Sequence, residues 1–305
     1  SAISSGFGAP IAGLIFAHEV IVRHFSLKAI APILIASVVA NTVSTEFYGS
    51  EPLFAVKIGG ISEFYEILPL IIVGILSGLV ASIYMRGLTG YLPIPKKIPT
   101  FLLPIIAGII CGIVGLFVPE VLGLGSETIR SLLVDEKTFT TLILLLVSKV
   151  VLTVVCIRFG LFGGIFSPAL FIGAALGCIL AFFFKFFIPD ANISLFAVAG
   201  MAAVTGSVIG GPISIMIIIF ELTSDYQVAL GAGISICFAN LVSTKIYGHS
   251  AFDQILLNRN IDIQIGRDSL QLQSIKVGSI IRKDYIRLSV EHSANDMIKI
   301  LSTSK

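Results

Sequence analysis

The sequence has 305 residues, 56% of them hydrophobic and only 12% charged, with a formal net charge of +2 and a mean hydropathy of +1.01. Soluble domains carry roughly 25% charged residues, so a chain this apolar cannot cover a water-facing surface. The near-neutral charge leaves no electrostatic footprint for nucleic acid.

The natural solvent of such a chain is lipid, where every backbone polar group must be satisfied inside helices or a closed barrel. The apolar runs are long and do not alternate, which selects helices. Ser1 opens directly onto a Gly-rich apolar helix start, which reads as a beginning inside a larger protein.

In chain order, 10–23 is a short apolar piece, and 27–47, 65–85, 101–118, 139–158 and 168–188 are long enough to cross a bilayer. Two more short pieces follow at 193–208 and 212–223, then a last crossing at 227–246. Gly or Pro bounds several of the short pieces, as suits helices that stop inside the membrane and line a cavity. Ordinary Gly/Pro kinks fit the same pattern.

Residues 8–20 read GAPIAGLIFAHEV and residues 210–222 read GGPISIMIIIFEL. Each has Gly-x-Pro, an apolar run, and a Glu nine residues after the Pro: Pro10 to Glu19 and Pro212 to Glu221. A proline in the first helical turn loses no hydrogen bond. Carboxylates inside a membrane are expensive, so two at matched positions point to a repeated architecture, although helix-end caps would also place them there. The repeat alone leaves open whether the two copies run parallel or inverted. Two GxxxG pairs, Gly108/Gly112 and Gly173/Gly177, permit close helix approach and read as packing within one subunit.

The sharpest local motif is Gly163-Gly164-Ile165-Phe166-Ser167-Pro168, followed by an apolar helix. Glycine lets consecutive N–H groups converge, and Pro168 is expected to start a helix whose N-terminus carries partial positive charge. Free amides plus the dipole make an anion site without a full charge. That suits a conductor, because an Arg in low dielectric would trap the ion. A plain Gly-Pro loop between helices is the alternative.

Cys111, Cys156, Cys178 and Cys237 all lie in apolar segments without CxxC spacing or a His cluster, and read as buried free thiols rather than disulfides or metal ligands. No cofactor is implied. HExxH, GxSxG and a paired intramembrane Asp set are absent, which argues against an enzyme.

Between Pro189 and Phe252 the only Asp, Glu, Lys or Arg residues are Asp190, Glu221, Asp225 and Lys245, and beyond Phe252 the chain turns polar. The organisation expected is a membrane body at 1–258, a linker at 259–271 and a soluble α/β segment at 272–305. Ser293 and Asp296 have the spacing of a helix-capping start.

Taken together these stretches resemble the CLC chloride channel and anion/proton exchanger family. GGIFSPALFIGAALG is similar to its GxFxP signature, here Gly164 to Pro168. SGFGAPIAGLIFAHEV and GMAAVTGSVIGGPISIMIIIFELTSDYQ resemble its two repeat helices, and PEVLGLGSETI and the Lys149 helix also fit. The tail resembles the first half of a CBS module. The resemblance implies an all-α inverted-repeat membrane bundle with broken helices plus a truncated α/β tail. It further implies a homodimer with one pore per subunit and a cytoplasmic C-terminus.

It also implies site roles. The amides of Ile165 and Phe166 would hold a central chloride or similar small anion. Phe252 stands where the family usually has a Tyr, so one hydroxyl contact is missing; Tyr247 has the wrong offset. Glu19 matches the first of a glutamate pair, and Val20 replaces the second, which carries protons in exchangers. Val20 favours passive conduction, and leaves Glu19 structural or a relay. The expected function is therefore a passive or gated anion pathway, with a chloride/proton antiporter and a non-conducting membrane scaffold as alternatives.

Overall fold

The computed structural model describes residues 1–25, 27–49, 67–90, 99–134, 137–189, 191–258 and 293–303. The linker expected at 259–271 and the α/β segment expected up to residue 292 lie outside them. Among the described residues every regular element is helical. The chain divides into a unit over Ser1–Ile255 and a second over Leu256–Lys305.

The first unit begins with α1 (Ala2–Phe7) and α2 (Pro10–Phe16), which continues as a π-turn over Ala17–Val22. α3 (Leu27–Tyr48), α4 (Ile67–Thr89), α5 (Leu103–Phe117), α6 (Ser126–Val134) and α7 (Phe139–Arg158) follow. Then come α8 (Phe166–Phe184), α9 (Ile193–Ile209), α10 (Pro212–Thr223), α11 (Tyr226–Ile246) and α12 (Ala251–Leu257). Among the described residues six spans are long and apolar enough to cross a membrane, and Pro10–Val22, Ile193–Ile209 and Pro212–Thr223 are shorter apolar helices. Each lies where the hydropathy runs predict.

α9 is the centre of the core: every residue from Leu195 to Ile209 is buried, against α8, α4 and α11. Asn192 caps it, accepting from the N–H groups of Ser194 (3.0 Å) and Leu195 (3.3 Å). The contact with α8 is made by glycines. A Cβ at Gly173 or Gly177 would strike the backbone of Gly200, Met201, Phe196 or Ala197, and a Cβ at Gly200 would strike that of Gly173 and Gly177. The other GxxxG pair behaves differently: nothing lies within 4 Å of a Cβ built on Gly108 or Gly112, so this pair packs against no neighbour among the described residues.

The two repeat helices explain each other. α2 and α10 begin with Ala9 and Gly211 at their N-caps, and neither residue has a side chain that can accept a hydrogen bond. Proline removes one donor from each first turn, and two N–H groups remain without intrahelical acceptors. Glu221 accepts both on α2, from Ile11 (3.0 Å) and Ala12 (2.7 Å). Glu19 accepts both on α10, from Ile213 (3.1 Å) and Ser214 (2.7 Å), together with the Ser214 hydroxyl (2.5 Å). The C-terminal part of each helix therefore lies at the start of the other, and the two copies run in opposite directions.

All four thiols are free, but only Cys178 is buried; Cys237 is exposed on α11, and Cys111 and Cys156 are half-buried. The expectation of four buried thiols fails because a membrane helix exposes apolar residues to lipid as readily as it packs them.

In the second unit α13 (Ala294–Thr303) starts with the capping pair anticipated from sequence. The Ser293 hydroxyl donates to the Asp296 carboxylate (2.6 Å), and the Ser293 N–H does so as well (3.2 Å). These donors hold the Asp296 carboxyl below its usual range.

Candidate anion site

The loop Leu161–Ile165 delivers the chain to α8, which begins at Phe166 with Ile165 as N-cap, two residues earlier than the start expected at Pro168. Proline lacks only an N–H, and no N–H of a first turn has an intrahelical partner, so Pro168 fits the third helical position as well as the first. The first helical hydrogen bond runs from Ala169 N–H to Ile165 carbonyl (3.2 Å). The amides of Phe166 and Ser167 precede it and are first-turn donors at the positive end of the helix.

These residues face a cavity of about 460 Å³ whose lining includes Gly164, Phe166, Ser167 and Phe252. None of its lining residues among those described is charged. Four of the six residues assigned to the anion from sequence thus meet at one place. Ile165 is packed partly against the core, and Pro168 lines a second cavity that shares Gly164 and Ser167 with the first.

Sequence reasoning missed the aromatic wall. Phe7 and Phe16 line the same cavity and bracket the Phe166 ring, with centroids 5.1 and 6.3 Å away. Offset and edge-on ring pairs of this kind are favourable. Phe7 stands just before the Gly-Ala-Pro that opens α2, so its proximity to the repeat start was the available signal.

Lys149 has a more definite part than its sequence position suggested. It is only 3% exposed, and its Nζ donates to the carbonyls of Val121 (2.7 Å) and Gly123 (2.9 Å) and lies 4.8 Å from the Phe171 ring centre. Ser167 Oγ donates to the carbonyl of Leu124 (2.6 Å). The strip from Val121 to Leu124 is thereby tied to α7 at one end and to the start of α8 at the other.

Phe252 is placed by α12, whose first turn is closed by Ser250 and Asp253: the Ser250 hydroxyl donates to Asp253 (2.8 Å) and accepts from the Asp253 N–H (3.2 Å). Asp253 also pairs with Arg23 at 2.6 Å, and Arg23 has a positive φ of 62° at the end of the π-turn. The Tyr247 hydroxyl is bonded to Thr89 and does not line the cavity. Val20 is buried against Gly211, and Glu19 and Glu221 serve as caps; none of the three lines the cavity.

A family profile described as "Voltage gated chloride channel" matches residues 1–244, and the chain belongs to this family. It is 32% identical over 254 residues to "Chloride channel protein CLC-f" of Arabidopsis thaliana, covering 75% of this chain and 32% of that relative. It is 27% identical over 259 residues to "Voltage-gated ClC-type chloride channel ClcB" of Escherichia coli, covering 83% of this chain and 62% of the relative. Among solved structures it is similar to a slow cyanobacterial Cl−/H+ antiporter, with a TM-score of 0.74 and 25% identity over 83% of this chain and 61% of that one. It is also similar to a CLC-type fluoride/proton antiporter, with a TM-score of 0.67 and 25% identity over 79% of this chain and 60% of that one. The chain thus spans from about a third to three-fifths of the length of these relatives.

Proposed function

We propose that the chain forms one side of a small-anion pathway, with chloride seated against the amides of Ile165, Phe166 and Ser167 at the N-terminus of α8. One observation carries this reading: first-turn amides and an aromatic wall share a cavity of about 460 Å³ whose described lining holds no charged side chain. Amide dipoles attract an anion, and without a full positive charge the ion is free to leave. Family membership supports membrane anion transport as the class of activity.

Passive conduction is the reading favoured by Val20, which has no proton to relay. The likeness to two solved antiporters supports coupled exchange as the second reading. Reversal potentials of the full-length protein in a bilayer separate the two. A reversal potential that follows the chloride gradient alone supports the passive pathway, and one that moves with a pH gradient overturns it. Absence of any anion flux overturns both and favours the scaffold reading. We read the assembly as a homodimer with a cytoplasmic C-terminus, and 272–305 as the start of a CBS-like module after a linker at 259–271.

A further inference from the structure

Cys111 on α5 and Cys156 on α7 are 45 positions apart in sequence, yet their sulfurs lie 3.2 Å from one another. That is closer than two unbonded sulfurs in ordinary contact, and about 1 Å beyond the S–S bond length of a disulfide. Both are half-buried and line a cavity of about 440 Å³. Lys149 lines the same cavity, as do Gly163, Gly164 and Ser167 of the loop that leads into α8. The two sulfurs already stand within reach of one bond, so closure needs only a small approach of α5 and α7.

The pair is joined to that loop by the backbone. The carbonyl of Cys156 accepts from the N–H of Leu161 (2.9 Å), across a turn in which Gly160 has a φ of 87°. Cys156 therefore anchors the turn from which Leu161–Ile165 departs. A covalent tie from Cys156 to α5 would restrain that turn.

We propose that Cys111 and Cys156 are a redox modification site, a dithiol that a small peroxide converts to a disulfide and that slows anion passage when closed. The consequence for flux rests on the reading of Gly164–Pro168 as the anion seat; the bond itself does not. In the first step one thiolate attacks a peroxide oxygen and the O–O bond breaks. The leaving hydroxide takes a proton and departs as water, and the sulfur becomes a sulfenic acid. The second thiol sulfur then attacks the sulfenic sulfur, the S–O bond breaks, and the hydroxide leaves as water with the second thiol's proton. Two thiols lose two electrons, and one hydrogen peroxide becomes two waters. A dithiol reductant reverses the closure by exchange.

The test uses the full-length protein in liposomes, with exposed Cys237 changed to serine. Samples are treated with hydrogen peroxide, then assayed for chloride flux and, after alkylation, by peptide mass spectrometry. A peptide linked through Cys111 and Cys156 is expected, with flux lowered by about fivefold or more and restored by dithiothreitol. Cys111→Ser and Cys156→Ser each abolish both changes. Two alkylated thiols after peroxide overturn the site, and a linked peptide with unchanged flux overturns its effect on the pathway. If the reduced protein shows no flux, the anion-seat reading fails, while the linked peptide still decides whether the dithiol closes.

Discussion

Glu19 and Glu221 exchange places: each carboxylate caps the helix that bears the other, Glu19 on Ile213 and Ser214, Glu221 on Ile11 and Ala12. The pattern Gly-x-Pro with a Glu nine residues later thus encodes a mutual contact. Each copy supplies the acceptor that the other lacks, and the charge of each carboxylate faces the positive end of a helix.

Replacing either glutamate by glutamine leaves one acceptor oxygen and removes the charge. Glu19→Gln and Glu221→Gln are each expected to lower stability by about 1–2 kcal/mol. Thermal unfolding in detergent measures this. Glu→Gln variants as stable as the unaltered protein would show that the caps carry no net energy.

The two GxxxG pairs give opposite expectations for the same change. Gly173→Ala or Gly177→Ala drives a Cβ into the α9 backbone, where overpacking costs about 1–3 kcal/mol or more. At Gly108 the space is open, and alanine's better helix propensity favours the substitution by about 1 kcal/mol. Unfolding temperatures of the two variants, measured side by side, should move in opposite directions.

Phe252→Tyr places a hydroxyl at the edge of the uncharged cavity. A hydrogen bond to an ion contributes about 1.5 kcal/mol, so chloride should bind roughly tenfold more tightly, as read by calorimetric titration. Unchanged affinity would place the anion away from Phe252.

Lys149→Met removes the donor to two carbonyls at once. Leaving Val121 and Gly123 without a partner should cost about 2–4 kcal/mol. Limited proteolysis of the 119–125 strip reports the loosening directly: cleavage there should appear in Lys149→Met and not in the unaltered protein.

Much of the fold could be read from sequence because membrane spans are a matter of length and apolarity, both local properties. The spans at 27–48 and 139–158 follow almost residue for residue. What escaped depends on partners distant along the chain. The glutamates were visible as a repeat, but their exchange joins residues about 200 positions apart and needs the antiparallel arrangement. Gly108/Gly112 and Gly173/Gly177 are the same motif in different surroundings, and no local pattern reports what lies opposite. For the candidate site, the family resemblance pointed to the glycine loop and Phe252, and Gly164, Phe166, Ser167 and Phe252 line one cavity. The Cys111–Cys156 approach was not, because nothing in a 45-residue spacing marks it.

The glycine contact between α8 and α9 also bears on the cavity, because Phe166, Ser167 and Leu170 of α8 line it. Gly173, Gly177 and Gly200 bring backbone against backbone, with no cushion of side chains on which one helix could slide over the other. The helix that carries these first-turn amides is thus held in register with the core helix α9. Phe7, Phe16 and Phe252 line the same cavity from residues outside that glycine contact.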